Sequence, residues 1–158
     1  MTMMKHMRAG VMAGGLLVSL GVVFAGAQTA PPGPVETLAA AKAVFERACG
    51  VCHPLERPLS KTNDRAGWEQ IVERMRAKGA KLGDGEGEMV VTYLLTKNTF
   101  ETKCSLCHGV DRPLGANKSA AGWLSTVQRM ANKKFGSFTE SEVASIAAYL
   151  SLVRPEKQ

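Results

Sequence analysis

The second half of this chain repeats the first at a fixed offset, and that repeat limits what its 158 residues can fold into. At an offset of 55, Phe45 falls on Phe100, Cys49 on Cys104, Cys52 on Cys107 and His53 on His108. Arg57-Pro58-Leu59 falls on Arg112-Pro113-Leu114, Gly67-Trp68 on Gly122-Trp123, Val72 on Val127, and Arg74-Met75 on Arg129-Met130. A one-residue slip then aligns Tyr93-Leu94 with Tyr149-Leu150. Two copies are too few for a solenoid, so the repeat predicts a pair of similar lobes. Units this short seldom bury enough apolar surface to stand alone, and usually recruit a metal, disulfides or a cofactor.

Both units share one plan. From Val35 to Ala48, Leu38, Lys42 and Phe45 lead to Cys49 at helical spacing, behind an extended Pro31-Pro32-Gly33-Pro34 leader. An irregular stretch follows His53, then a middle helix over Gly67 to Lys78 and a last helix over Glu86 to Lys97. In the second unit a short opening helix, Lys97 to Cys104, runs on from the last helix of the first. Its final helix is announced by the capping box Thr139-Glu140-Ser141-Glu142 and by the apolar stripe Val143, Ile146, Ala147 and Leu150. No segment reads as a strong strand. The expected fold is all-α, with tandem lobes at residues 36–97 and 98–158.

The N-terminus reads differently. Lys5, His6 and Arg8 precede an apolar run from Ala9 to Phe24, and Ala25-Gly26-Ala27 is a small-x-small cleavage pattern. Residues 1–27 are therefore expected to be a secretory signal peptide, followed by a leader over 28–35. A retained membrane anchor is the alternative. Removal of Lys5 and Arg8 would lower the formal charge of +6 by two. No Lys/Arg run of five or more appears and aromatics are few, so no nucleic-acid partner is expected.

Cys49-Gly50-Val51-Cys52-His53 and Cys104-Ser105-Leu106-Cys107-His108 carry the chemistry. Covalent haem attachment needs two thiols spaced to reach two vinyl groups, and an imidazole rising to the iron from the same turn. Cys-x-x-Cys-His supplies all three. Cys49, Cys52, Cys104 and Cys107 are all the cysteines present, and His53 and His108 are the only histidines beyond His6. A four-cysteine zinc site would have to join pairs from different repeats and would ignore both histidines. Thioredoxin-type disulfides leave the histidines and the repeated Trp-Met helix unexplained, and need strands that the sequence lacks. Two covalently bound haem c groups account for every thiol and both imidazoles.

The middle helices offer a sixth iron ligand. Trp68, Ile71, Val72 and Met75 share one face, and Trp123, Val127 and Met130 repeat it. Each methionine stands 22 residues after its histidine, whereas Met89 has no counterpart across the repeat. Met75 and Met130 are the expected ligands, with Lys78 and Lys133, aligned just beyond them, as the alternative. Bis-histidine ligation is excluded once the signal carries off His6. A carbonyl at or near Pro58 and Pro113 is expected to orient the imidazoles. Arg57 and Arg112, or the indole N–H groups of Trp68 and Trp123, are candidates to pair with propionates.

With these motifs in place, the sequence resembles the class I c-type cytochromes in duplicated, dihaem form, over most of residues 36–153. The carriers are the two Cys-x-x-Cys-His motifs, the aromatic one turn before each (Phe45, Phe100) and the Tyr-Leu of each last helix. The Gly-Trp-x-x-x-Val-x-Arg-Met helix is similar to the haem domain of quinohaemoprotein amine dehydrogenases and related small dihaem cytochromes. Two departures stand out. Many class I cytochromes place the methionine in a loop before the last helix, and the amine dehydrogenase domain includes a bis-histidine haem that this sequence cannot build. The resemblance implies cytochrome c-like lobes and a periplasmic electron carrier, not an enzyme. Its partners would be a dehydrogenase or quinol-oxidising complex as donor and a terminal acceptor. Lys97, Lys103, Lys118, Lys133 and Lys134 are candidate docking charges. A haem enzyme or gas sensor with one open iron, and a fixed subunit of a larger dehydrogenase, are the competing functions.

Overall fold

Pro34 at the first helical position and Glu36 in the first turn open α1 (Pro34–Cys49), because proline has no amide to lose there and a carboxylate suits the positive helix end. The computed structural model describes residues 31–133 and 137–157; the expected signal peptide, residues 28–30 of the leader, and Lys134 lie outside the described residues. Leu38, Ala41, Phe45 and Ala48 form the buried face of α1. Six further helices follow: α2 (Glu56–Leu59), α3 (Arg65–Ala77), α4 (Glu86–Cys104), α5 (Asp111–Leu114), α6 (Ala120–Ala131) and α7 (Glu140–Val153). The fold is mostly helical, and the described residues contain no strand, only one isolated bridge between Lys118 and Pro155.

Helix α4 is the axis of the arrangement. It passes without a break from the end of the first repeat into the opening of the second, across the 97/98 boundary drawn from the sequence. It packs against α1, α3 and α7, and so buries residues around much of its circumference, among them Val90, Val91, Tyr93, Leu94 and Phe100. A helix enclosed on several sides needs no single apolar stripe. Helix α3 docks on α4 in the first repeat as α6 docks on α7 in the second.

The core retains the repeat. Phe45 stacks on Tyr93 with centroids 5.2 Å apart, Phe100 stacks on Tyr149 at the same 5.2 Å, and the two tyrosines meet at 6.2 Å. Four rings thus run continuously through the middle of the molecule. Trp68 and Trp123 are each 1% exposed. Burying a side chain of this kind is worth roughly 1.5–3 kcal/mol, so the duplicated aromatics hold much of the fold.

The helix starts explain the repeated Gly-Trp. Asp64 caps α3 by accepting the Gly67 amide at 2.8 Å, and Ser119 caps α6 by accepting the Gly122 amide at 3.2 Å. A Cβ on Gly67 would lie 3.1 Å from Asp64 Oδ1, and one on Gly122 would lie 3.2 Å from Ser119 Oγ. The glycine keeps the capping side chain close to the helix. The last helices cap differently but share one contact, a glutamate carboxylate that accepts a backbone amide just ahead of the helix. Glu86 accepts the Gly83 amide at 2.7 Å and Glu142 accepts the Thr139 amide at 2.8 Å. Arg47 pairs with Glu86 at 2.6 Å, and Lys103 with Glu142 at 3.0 Å.

Candidate haem-attachment sites

The two cysteine-histidine motifs occupy equivalent places. Cys49 ends α1 and Cys104 ends α4, so the leading cysteine of each pair is carried on a helix terminus and the rest of the motif on the turn beyond. Cys49 and Cys104 are half-buried, Cys52 and Cys107 are exposed, and all four are free thiols. Burial raises the Cys49 thiol and pushes the Cys104 thiol up to about 11. Val51 and Leu106, between the cysteines, are large apolar residues left exposed at 78% and 58%.

Both histidines are held by their own backbone. His53 Nδ1 lies 3.1 Å from the Pro54 carbonyl, and His108 Nδ1 lies 3.0 Å from the Gly109 carbonyl. A carbonyl only accepts, so Nδ1 is the donor in each ring, and in the neutral imidazole Nε2 then keeps its lone pair. That is the tautomer a metal-binding imidazole needs. The oriented carbonyl is thus the neighbouring residue's, not that of Pro58 or Pro113, which accept amides within their own turns from Lys61 and Ala116.

In the second repeat the site has a measurable volume. Cys104, Cys107, His108, Trp123 and Met130 line a cavity of about 330 Å³, together with Arg112. This lies within the range of cofactor sites, roughly 300–1,000 Å³. Its wall is mainly apolar, with Val127, Ala116 and Leu150 contributing. Imidazole, two thiols and a thioether therefore converge on one space, and the residues present fit a covalently attached haem. In the first repeat Met75 occupies the equivalent place on α3 and is half-buried. Met89 instead packs against the buried core, among the described residues that do so. Lys78 caps the end of α3 and is exposed, and Lys133 is exposed at the rim of the second cavity.

Three expectations are corrected. The Trp123 indole N–H donates to the Arg154 carbonyl at 2.8 Å, so it is committed to backbone and not free for a propionate. Lys97 is buried, at 7% exposure, and pairs with Glu101 at 2.5 Å, which removes it from any docking surface. The stretch after each histidine is not wholly irregular: it contains the four-residue helices α2 and α5, built on the repeated Arg-Pro-Leu. Sequence reasoning missed Asn98 altogether, although it is buried and bonded across to Asn63.

Among the described residues, no three His, Cys, Asp or Glu side chains gather as a group that could hold a metal ion. No described helix is long and apolar enough to cross a membrane. Comparison with protein families, curated proteins and solved structures returned no match.

Proposed function

We propose that the chain is an exported, periplasmic electron carrier with two covalently bound haem c groups, one in each repeat. Cys49 and Cys52 would attach the first and Cys104 and Cys107 the second, and His53 with Met75 and His108 with Met130 would hold the two irons. The observation that carries this reading is the cavity of the second repeat, which Cys104, Cys107, His108 and Met130 line together. Haem iron between an imidazole and a thioether favours the reduced state, and supplies one-electron exchange at a raised potential. The chain's own part is to orient and enclose. The Pro54 and Gly109 carbonyls orient the imidazoles, α3 and α6 carry the methionines, and the apolar lining of the second cavity would keep water from a bound iron. Donor and acceptor are redox proteins, a dehydrogenase or quinol-oxidising complex on one side and a terminal acceptor on the other.

The test is the intact mass of the exported protein, with its reduced visible spectrum recorded before and after carbon monoxide. Two added haem masses and a spectrum indifferent to the gas are expected. An unmodified mass would overturn the haem assignment. Ready gas binding at both irons would overturn the methionine assignment and favour a ligand-binding role.

A further inference from the structure

The repeat offers a comparison behind the haem cavity, at the indole N–H groups of the two tryptophans. At the end of α7 the helix stops, and the Arg154 carbonyl is released from helical bonding. That oxygen accepts the Trp123 indole N–H at 2.8 Å and the Lys118 amide at 3.4 Å. By the offset of the Tyr-Leu alignment, the residue of the first repeat standing at Arg154 is Asn98. There α4 does not stop, and the Asn98 carbonyl is committed to the amide four residues on.

The Asn98 side chain joins the same two positions with the direction of the bond reversed. Asn98 Nδ2 donates to the Asn63 carbonyl at 3.0 Å, and Asn63 is the counterpart of Lys118. Because that carbonyl only accepts, the amide's orientation is fixed and Oδ1 faces elsewhere as an acceptor. Oδ1 is buried without a hydrogen-bond partner, and so is Trp68 Nε1, the donor whose counterpart bonds Arg154. Trp68 is 1% exposed and Asn98 is 5% exposed. One orphaned donor and one orphaned acceptor thus belong to the positions that are directly bonded in the second repeat, and a buried polar atom left unsatisfied is costly.

We propose that a single buried water bridges Trp68 Nε1 to Asn98 Oδ1, and that Asn98 thereby acts as a positioning residue for α3 and its Met75. Buried waters bind where otherwise unsatisfied polar groups supply two or more partners. Asn98 then grips both the approach to α3, at Asn63, and its second turn, at Trp68. The water site stands on the two orphaned atoms alone; the consequence for Met75 rests on the haem reading above.

The chain has two tryptophans, so its two indole N–H resonances separate in the reduced, ¹⁵N-labelled holoprotein, and a Trp68→Phe variant assigns them. A long-lived water cross-peak is expected at the Trp68 indole and none at Trp123. Asn98→Leu should abolish that cross-peak and speed Trp68 indole exchange at least tenfold, leaving Trp123 unchanged. The absence of the cross-peak in the wild-type protein overturns the water site, and this arm does not depend on Asn98→Leu folding. Asn98→Leu should also open one haem, and one only, to carbon monoxide. If both haems stay inert while the cross-peak is lost, the positioning role is overturned and the water site stands.

Discussion

The two repeats bury the same tryptophan equally deeply, yet only the second gives its indole N–H a partner within the chain. Trp123 reaches a carbonyl that exists because α7 ends, whereas Trp68 faces a helix that continues. The tryptophan and its helix are matched, but α4 continues where α7 ends, and Asn98 stands where the second repeat has Arg154. A duplicated unit stops being equivalent where one copy must hand its chain to the next. The first repeat gives up a free helix end and gains a rigid seam; the second keeps the free end and uses it.

Four measurements press on this comparison. The largest effect belongs to the thiols: Cys49→Ser with Cys52→Ser should remove one covalent haem, and Cys104→Ser with Cys107→Ser the other, each read as the loss of one haem from the intact mass. Loss of both from either double variant would show that the repeats mature as one unit. Next, Phe45→Ala and Phe100→Ala should each cost about 3–5 kcal/mol in urea unfolding, equally within error, since both rings are 1% exposed and stack at 5.2 Å. A clear inequality would rank the two halves of the core.

Smaller effects come from the helix starts. Thr139→Ala breaks the capping box of α7 and should cost about 1 kcal/mol. α4 starts differently, from Gly85 at φ 76°, so Gly85→Ala should cost about 1–2 kcal/mol through backbone strain alone. Thermal melts of the two variants compare the two solutions to one problem. The smallest effect is acid sensitivity. The Gly83 amide, then Arg47, holds the Glu86 carboxyl below its usual range; the Thr139 amide, then Lys103, does so for Glu142. Their contribution is present above the unfolded carboxyl value, about 4.3, and fades as pH falls through the depressed folded values. Glu86→Gln and Glu142→Gln should each lower the melting temperature near neutrality and flatten its decline in acid.

Much of the helical plan was legible in the sequence because its signals are local. The capping box at Thr139 predicted α7, and the spacing of Leu38 and Phe45 predicted α1, to within a residue or two. Helices α2 and α5 were not legible, since four residues give no periodicity. At the candidate sites, the cysteines and histidines announced themselves by spacing, and Met75 and Met130 by repetition. The imidazole partners did not, because any carbonyl within reach would have served. Asn98 was invisible for a different reason: its counterpart, Arg154, contributes a backbone oxygen, and no residue alignment matches a side chain to a carbonyl.

Tyr93 and Phe100 stand seven residues apart on the one continuous helix. Seven steps of about 100° fall about 20° short of two full turns and advance about 10 Å. The stacking partner of the first repeat and that of the second therefore share a face, and α4 works as a phase-locked shaft between them. A single residue added between Leu94 and Phe100 would rotate everything beyond it by about 100°, swinging Phe100 away from Tyr149 while leaving each motif intact. Seven added residues would restore the phase and change only the distance. The relative attitude of the two halves is thus set by a residue count.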